Sequence, residues 1–232
     1  MQITWKGQAC FQITAVPDKN SQVKIVIDPY SEEIGLRLPK LEADIVLSTH
    51  NHYDHNNVKA ISPSAGALTE LSRTSSGQAH FLVEGPGEYE AKGVIIQGIH
   101  SWHDEKEGAE RGSNTIYTLE AEDLRLCHLG DLGQKELTSE QLEKIGQVDI
   151  LMIPVGGVYT IDAKGALKVM SQIEPKIAIP MHYALPKLKV KLDGIDKFLK
   201  EVGLKRITPE AKLVVKKKDL SEEEAKIVLL QP

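Results

Sequence analysis

The chain has 232 residues, of which 41% are hydrophobic and 26% are charged, the composition of an ordinary globular protein. Its net charge of -5 argues against a protein whose whole surface binds nucleic acid. No apolar run approaches the ~20 residues of a membrane helix, and the N-terminus does not resemble a signal peptide. Cys10 and Cys127 form no CxxC pair. We therefore expect one cytoplasmic domain over residues 1–232, without a membrane partner; homo-oligomerisation stays open.

The first fifty residues predict β-strands. Alternating or β-branched runs are "QITW", "CFQITAV", "VKIVIDPY" and "ADIVLSTH". "NNVKAISPS" then has the features of a helix start, and "GALTELS" and "AHFLVEG" alternate more loosely. A further strand, "GVIIQGIHSWHD", leads into the polar loop "EKEGAERGS".

The second half predicts strands that alternate with helices. "NTIYTLEAEDLRLCHLGDLG" is typical of a hairpin around "EAED", and "TSEQLEKIG" predicts a helix with Thr138 or Ser139 as N-cap and a glutamate at capping-box spacing. The strand "VDILMIPVGG" precedes a helix that Pro175 ends, and the strand "KIAIPMHY" precedes a helix that Gly203 closes. "KLVVKKK" is predicted as the last strand. This order indicates an α/β fold with two sheets between helices.

A histidine cluster lies in "LSTHNHYDHNN", residues 47–57, where His50, His52, Asp54 and His55 occupy six positions. Residues two apart in an extended chain point the same way, so His50 and His52 can face one metal ion. Asp54 and His55 diverge and can serve a second ion. By composition alone the pattern arises in about 1 in 2,000 such chains, so a metal site is favoured over a chance cluster.

Three later residues follow the ends of predicted strands: His103, Asp131 and His182. In layered α/β proteins such strand ends converge on one edge, where ligand sites collect. Each residue taken singly is more often a cap or core residue. Together with the cluster, they supply the ligands that a site with two metal ions requires.

The succession of "THNHYDH", a strand-end histidine, "GD" and "MHY" resembles the metallo-β-lactamase superfamily over nearly the full chain. "WKGQACFQI", "IDPY", "PGEYE", "HLGDLG" and "IPVGGVYTIDAKGA" are similar to a bacterial and archaeal branch of hydrolases related to ascorbate-6-phosphate lactonase. The resemblance implies a four-layer αββα sandwich, in which two mixed β-sheets are flanked by helices.

The resemblance also implies two groups of metal ligands. They are His50, His52 and His103 at the first ion, Asp54, His55 and His182 at the second, and Asp131 between them. His100 competes with His103 for the third place at the first ion. We prefer His103 because the family's histidine precedes Asp or Ser at the start of a polar loop, although a serine follows His100 as well.

These ligands imply two divalent ions, with zinc as first choice and manganese or iron as alternatives. Such ions lower the pKa of a bridging water from about 15.7 toward ~7, and the hydroxide then attacks a small ester, lactone or phosphoester. Asp54 and Asp131 are the candidate catalytic residues, since Asp54 can orient the water and Asp131 bridges. A phosphodiesterase or nuclease, and a non-catalytic metal- or metabolite-binding protein, are the alternatives.

Departures from the pattern narrow the function. Antibiotic-destroying members commonly carry cysteine where this chain has Asp131, and they are exported. Flavin-dependent di-iron members carry glutamate in the place of His52 and a fused flavin domain. We therefore expect neither activity here.

Four more residues are candidates for supporting ligands or contacting substrate: Asp28, His128, Gly157 and Tyr159. Asp28 either holds the ring of His50 or His52 through a hydrogen bond or only shapes the turn before proline. His128 is either such a support or a histidine inside the hairpin. The backbone near Gly157 can approach an anionic ligand, and Tyr159 either contacts substrate or belongs to a helix cap.

Overall fold

The computed structural model describes residues 1–18, 21–64, 80–221 and 225–232. Within these residues it has fifteen β-strands and three α-helices. The helices are α1 (Ser139–Ile145), α2 (Ala163–Ile173) and α3 (Ile195–Glu201). None of the helices in the described part of the chain is long and apolar enough to cross a membrane.

The first sheet has six strands, in the order β14-β1-β2-β3-β5-β7. They are β1 (Gln2–Gly7), β2 (Cys10–Asp18), β3 (Ser21–Ile27), β5 (Ile45–Ser48), β7 (Phe81–Glu84) and β14 (Leu213–Val214). Strand β3 pairs antiparallel with β2 and parallel with β5, so the sheet is mixed. Because side chains alternate along a strand, Ile25 and Ile27 face the core between the sheets, whereas Val26 faces away.

The second sheet has seven strands, in the order β15-β13-β12-β11-β10-β9-β8. They are β8 (Gly87–Ala91), β9 (Val94–Trp102), β10 (Ser113–Ala121), β11 (Leu124–His128), β12 (Ile150–Pro154), β13 (Ile177–Met181) and β15 (Lys226–Ile227). Strands β10 and β11 form the predicted hairpin, whose turn residues Glu122 and Asp123 both have positive φ. Parallel pairing follows from β11 through β12 to β13, with α1 and α2 in the connections.

The two sheets share one hydrophobic core. It contains residues such as Trp5 and Phe11 from the first sheet and Ile96 and Leu126 from the second, together with Phe198 from α3. A second, smaller core covers the outer face of the first sheet. In the described residues that face carries 3-10 helices and a two-stranded sheet of β4 (Leu41–Ala43) and β6 (Ile61–Pro63). Two mixed sheets with flanking helices confirm the predicted α/β sandwich.

Two predicted elements differ from the structure. "NNVKAISPS" forms only a 3-10 turn over Val58–Ala60, and β6 follows it directly. The predicted last strand, "KLVVKKK", is reduced to the two residues of β14, because only these pair with β1 before a 3-10 helix over Lys217–Asp219. The final strand is instead β15. The predicted segment "GALTELS" lies outside the described residues.

The first helix begins as expected, with a different partner in its cap. Thr138 is the N-cap of α1, and its side-chain oxygen accepts a hydrogen bond from the Gln141 backbone N–H. The side chain of Gln141 returns a bond to the Thr138 backbone, so a glutamine completes the capping box in place of the predicted glutamate.

Four strand ends converge at one edge of the sandwich. His50 follows β5, His103 follows β9, Asp131 follows β11 and His182 follows β13. Convergence of strand ends in an α/β protein gathers side chains that are distant in sequence. The edge therefore defines where a functional site can form.

We predict that Leu47→Ala lowers the free energy of unfolding by about 2–5 kcal/mol, because Leu47 is fully buried in β5 just before the histidine loop. Urea unfolding in the presence of a chelator measures this without a contribution from bound metal. The control is Val214→Ala in β14, where the side chain is 60% exposed and the expected change is within ~0.5 kcal/mol. Equal losses in the two variants would contradict the assigned core.

Candidate metal centre

The converging strand ends bring seven histidine and aspartate side chains into two groups. The first group is His50, His52 and His103, and the second is Asp54, His55, Asp131 and His182. Within each group, one nitrogen or carboxylate oxygen per residue lies within 4.8 Å of the others. The structure therefore brings together all seven residues that the sequence singled out.

Asp131 lies between the two groups. Its Oδ2 is 3.2 Å from His55 Nε2 and 3.1 Å from His182 Nε2, both in its own group. The same oxygen is 3.4 Å from His103 Nε2 in the other group. One carboxylate is thus in reach of imidazoles from both sets, which is the geometry that a bridging ligand requires.

Five buried side-chain atoms of this cluster have no hydrogen-bond partner among the described residues. They are His50 Nε2, His55 Nε2, His103 Nδ1, His182 Nδ1 and Asp131 Oδ1. Buried polar atoms are otherwise nearly always paired, because an unpaired one has lost its hydration without compensation. Imidazole nitrogens and carboxylate oxygens are also the ligands that zinc, manganese and iron accept. The residues present therefore fit a metal site.

The charged groups of the cluster shift one another's pKa values. Burial disfavours the ionised form of Asp131, but the adjoining His182 and His55 outweigh burial and hold the pKa of the Asp131 carboxyl well below its usual value. Burial, with His55 close by, lowers the pKa of His50. A low pKa keeps the His50 imidazole neutral, and neutral imidazole is the form that binds metal.

Asp28 orients two of the histidines, in a way that differs from the prediction. Its Oδ2 accepts hydrogen bonds from His55 Nδ1 at 3.0 Å and from Thr49 Oγ1 at 2.8 Å. Thr49 Oγ1 lies 2.9 Å from His50 Nδ1. Asp28 thus holds the ring of His55 directly and reaches His50 through Thr49, and in the part of the chain that the structure describes it forms no hydrogen bond with His52. These bonds leave the Nε2 atoms of His50 and His55 to face the centre of the cluster.

His128 supports the site without joining it. Its Nε2 donates to the Ala9 carbonyl at 2.9 Å, and its Nδ1 accepts from the Gly130 N–H at 3.1 Å. Both ring nitrogens are therefore occupied, and the ring is fully buried. The bonds fix the segment that leads to Asp131, which agrees with the supporting role and not with a ligand.

Asn114 positions the Asp131 backbone. This role was not predicted from the sequence. Its Oδ1 accepts from the Asp131 N–H at 2.9 Å, and its Nδ2 donates to the Leu129 carbonyl at 2.9 Å. Gly130 has a φ of 56°, and a Cβ there would collide with Asn114 Oδ1. "HLGDLG" requires glycine at this point because the turn leaves no space for a side chain.

His103 and His100 occupy different environments. His103 is buried, and its ring centroid lies 4.7 Å from that of His50 and 5.1 Å from that of His52. His100 is exposed, and its ring packs edge-on at 4.2 Å from Trp102. Of the two alternatives, only His103 lies in the cluster.

The loop before α2 contributes a side chain to the site. Tyr159 lines the cavity over the cluster. The Gly157 N–H donates to the Ile161 carbonyl at 3.3 Å, so this amide is engaged within the loop. Asp162 is the N-cap of α2 and accepts from the Gly165 N–H at 2.9 Å. This cap fixes the end of the loop at the start of α2.

Gln8 is a second residue whose role at the site the sequence did not indicate. It is fully buried in the turn between β1 and β2, and its Nε2 donates to Asp54 Oδ2 at 3.0 Å. Its carbonyl oxygen accepts from the His182 N–H at 3.0 Å. Gln8 thus positions two members of the second group. The available signal was a polar residue after Gly7 in a turn between apolar strands.

Comparison with known proteins identifies the family. The model of the β-lactamase superfamily domain matches residues 2–182, a span that contains all seven clustered side chains. A UPF0173 metal-dependent hydrolase of Thermoplasma volcanium is 32% identical over 197 residues, 79% of this chain and 83% of that protein. A relative with the same description from Methanopyrus kandleri is 28% identical over 224 residues, 88% of this chain and 94% of that protein.

The solved structures agree with the sequence relatives. A candidate zinc-dependent hydrolase of the metallo-β-lactamase superfamily from Thermotoga maritima has a TM-score of 0.72 and 31% identity, over 99% of both chains. The fold and the clustered histidines and aspartates define a metal-dependent hydrolase. The chain belongs to the β-lactamase superfamily, which confirms the resemblance and the sandwich that it implied.

We predict that Gln8→Met weakens metal binding by roughly 10- to 100-fold, because methionine keeps the side-chain length and removes the amide that orients Asp54. Competition with a chromogenic chelator measures the affinity. Gln12→Met is the matched control, since Gln12 lies on β2 and its amide bonds only to the Glu42 carbonyl at 3.4 Å. Wild-type affinity in a folded Gln8→Met protein would contradict the positioning role.

Proposed function

We propose that the protein uses two divalent ions, preferably zinc, to hydrolyse a small ester, lactone or phosphoester. The observation that carries the proposal is the Asp131 carboxylate, whose Oδ2 lies within 3.4 Å of histidine nitrogens from both groups. A single metal ion would leave one group of ligands without a function. In this proposal His50, His52 and His103 hold one ion, Asp54, His55 and His182 hold the other, and Asp131 is shared.

When bound, the ions supply a water of lowered pKa and polarise the carbonyl or phosphoryl oxygen of the substrate. Hydrolysis joins the water oxygen to the acyl carbon or phosphorus and breaks the ester C–O or P–O bond. The Asp54 carboxylate lines the cavity, and it orients the water and takes up one of its protons. That proton then passes to the leaving oxygen. Gln8 keeps Asp54 turned toward this position.

The substrate is a small molecule in this proposal. The cavity over the cluster has a volume of about 510 Å³ and is lined by Asp54, His103, Asp131 and His182 among others. Cavities of roughly 300–1,000 Å³ are typical of sites for small ligands. The proposal retains the cytoplasmic location, for which free, buried cysteines such as Cys10 and Cys127 are typical.

We predict that the purified protein contains about two metal ions per chain, as measured by mass spectrometry, and hydrolyses a simple lactone or bis-p-nitrophenyl phosphate. Dialysis against a chelator should abolish hydrolysis, and zinc, manganese or iron should restore it. Activity that survives complete metal removal would contradict the proposal. So would a fully metallated protein that is inert toward both substrates and toward simple esters.

We predict that His103→Ala removes metal from the first group and lowers kcat/KM by about 100-fold or more, because the ligand set loses one of its three imidazoles. His100→Ala is the matched control, three residues away on β9 and exposed. It should retain the metal content and kcat/KM of the wild type. The reverse result would assign the ligand position to His100.

A further inference from the structure

The cavity over the metal centre has cations as well as histidines in its lining. Arg111, Lys189 and Lys191 line it together with the aromatic side chain of Tyr159. The chain as a whole carries a net charge of -5, so a cavity lined by three cations differs from the acidic average of the protein. The two lining carboxylates, Asp54 and Asp131, belong to the metal group and are engaged there.

The guanidinium of Arg111 is largely free for a ligand. It forms an ion pair of 3.8 Å with Glu110, and its central carbon lies 5.6 Å from the centroid of the Tyr159 ring. Among the described residues it donates no hydrogen bond. A guanidinium presents five N–H donors in one plane, which matches the two oxygens of a carboxylate or phosphate. The cation–π contact with Tyr159 attracts the guanidinium to the ring face and leaves its donors available.

Asp104 places Arg111 relative to the metal centre. Its carboxylate accepts four backbone hydrogen bonds, from Lys106 at 2.7 Å, Gly108 at 3.0 Å, Glu110 at 3.0 Å and Arg111 at 2.8 Å. This network folds the loop directly after His103. The position of Arg111 is therefore fixed by the backbone, independently of its own side chain.

The two lysines come from the segment that follows His182. Both are exposed, and within the described residues neither ammonium group forms an ion pair. The Lys189 N–H donates to the Ile34 carbonyl at 2.7 Å, and Val190 packs against the smaller hydrophobic core. The backbone between the lysines is thus anchored, and it holds both of them at the cavity.

Building on the proposed function, we propose that the substrate carries an anionic group, a carboxylate or a phosphate, which Arg111, Lys189 and Lys191 bind. The scissile ester or lactone lies at the histidine–aspartate cluster while the anion is held by these cations. Cations that line one cavity attract an anionic ligand more strongly than cations spread over an open surface, because the low-dielectric cavity walls concentrate their combined field. Because the anion is held at a distance from the scissile bond, its binding also orients that bond relative to the cluster.

The test compares esters that differ only in charge. The probes are mono-p-nitrophenyl adipate, its neutral methyl ester and p-nitrophenyl 5-phosphonopentanoate. We expect kcat/KM to be about tenfold or more higher for one or both anionic esters than for the neutral ester. The better of the two anions distinguishes carboxylate from phosphate. Equal kcat/KM for all three esters would overturn the proposal.

Variants assign the selectivity to the three cations. Arg111→Gln should lower the ratio of anionic to neutral kcat/KM by about tenfold, and Lys189→Gln and Lys191→Gln by a smaller factor of roughly two to five. Arg206→Gln and Lys187→Gln are matched controls, because both residues are exposed and neither lines the cavity. Both controls should keep the wild-type ratio. An unchanged ratio in all three cation variants would overturn the proposal.

A binding measurement separates this proposal from the hydrolase proposal. The p-nitroanilide of adipic acid resists hydrolysis, and calorimetry gives its Kd with the metallated protein. Binding that Arg111→Gln weakens supports the anion site even if no ester is hydrolysed, and the hydrolase proposal alone then fails. Binding that Arg111→Gln does not change overturns the anion site even if the esters are hydrolysed. Competition by single-stranded RNA at the same site would point to a nucleic-acid ligand and would also overturn it.

Discussion

A buried carboxylate among three imidazoles is the constraint on which the rest of the site depends. Asp131 is 2% exposed, and its Oδ2 lies within 3.4 Å of nitrogens from His55, His103 and His182. Burying a charge is costly unless opposite charges or metal ions surround it. The positive groups must therefore be delivered from several strands to one point, and the two-sheet sandwich provides this at the edge where its strands end.

Unusual backbone conformations mark where the chain has been bent to meet this constraint. Asp28 and His182 are non-glycine residues with φ near 50°, a conformation that costs about 1–3 kcal/mol. Each is held by specific bonds: the Asp28 carboxylate accepts from Thr49 and His55, and the His182 N–H donates to the Gln8 carbonyl. The surrounding hydrogen bonds thus offset local strain in order to aim the ligand side chains.

Two sets of charged residues line the cavity at this edge of the sandwich. In the proposed function the histidine–aspartate cluster holds metal and carries the reaction, and Arg111 and the two lysines line the same cavity from loops that follow His103 and His182. Each cation therefore lies on a segment that begins at a metal-cluster residue. In the proposed function, the backbone segment that places a metal-binding histidine therefore also places a cation that binds the substrate.

The sequence by itself indicated most of the long strands, the three α-helices and all seven clustered residues, because a dense H-x-H-x-D-H pattern and strand-end polar residues are local signals. It did not determine which ring each supporting group touches. Asp28 was expected at His50 or His52 and bonds directly to His55. Gln8 stands out only as a polar residue in a turn, which does not indicate its bond to Asp54. Those contacts join segments up to 174 residues apart (Gln8 to His182), and only packing of the two sheets decides which of them meet.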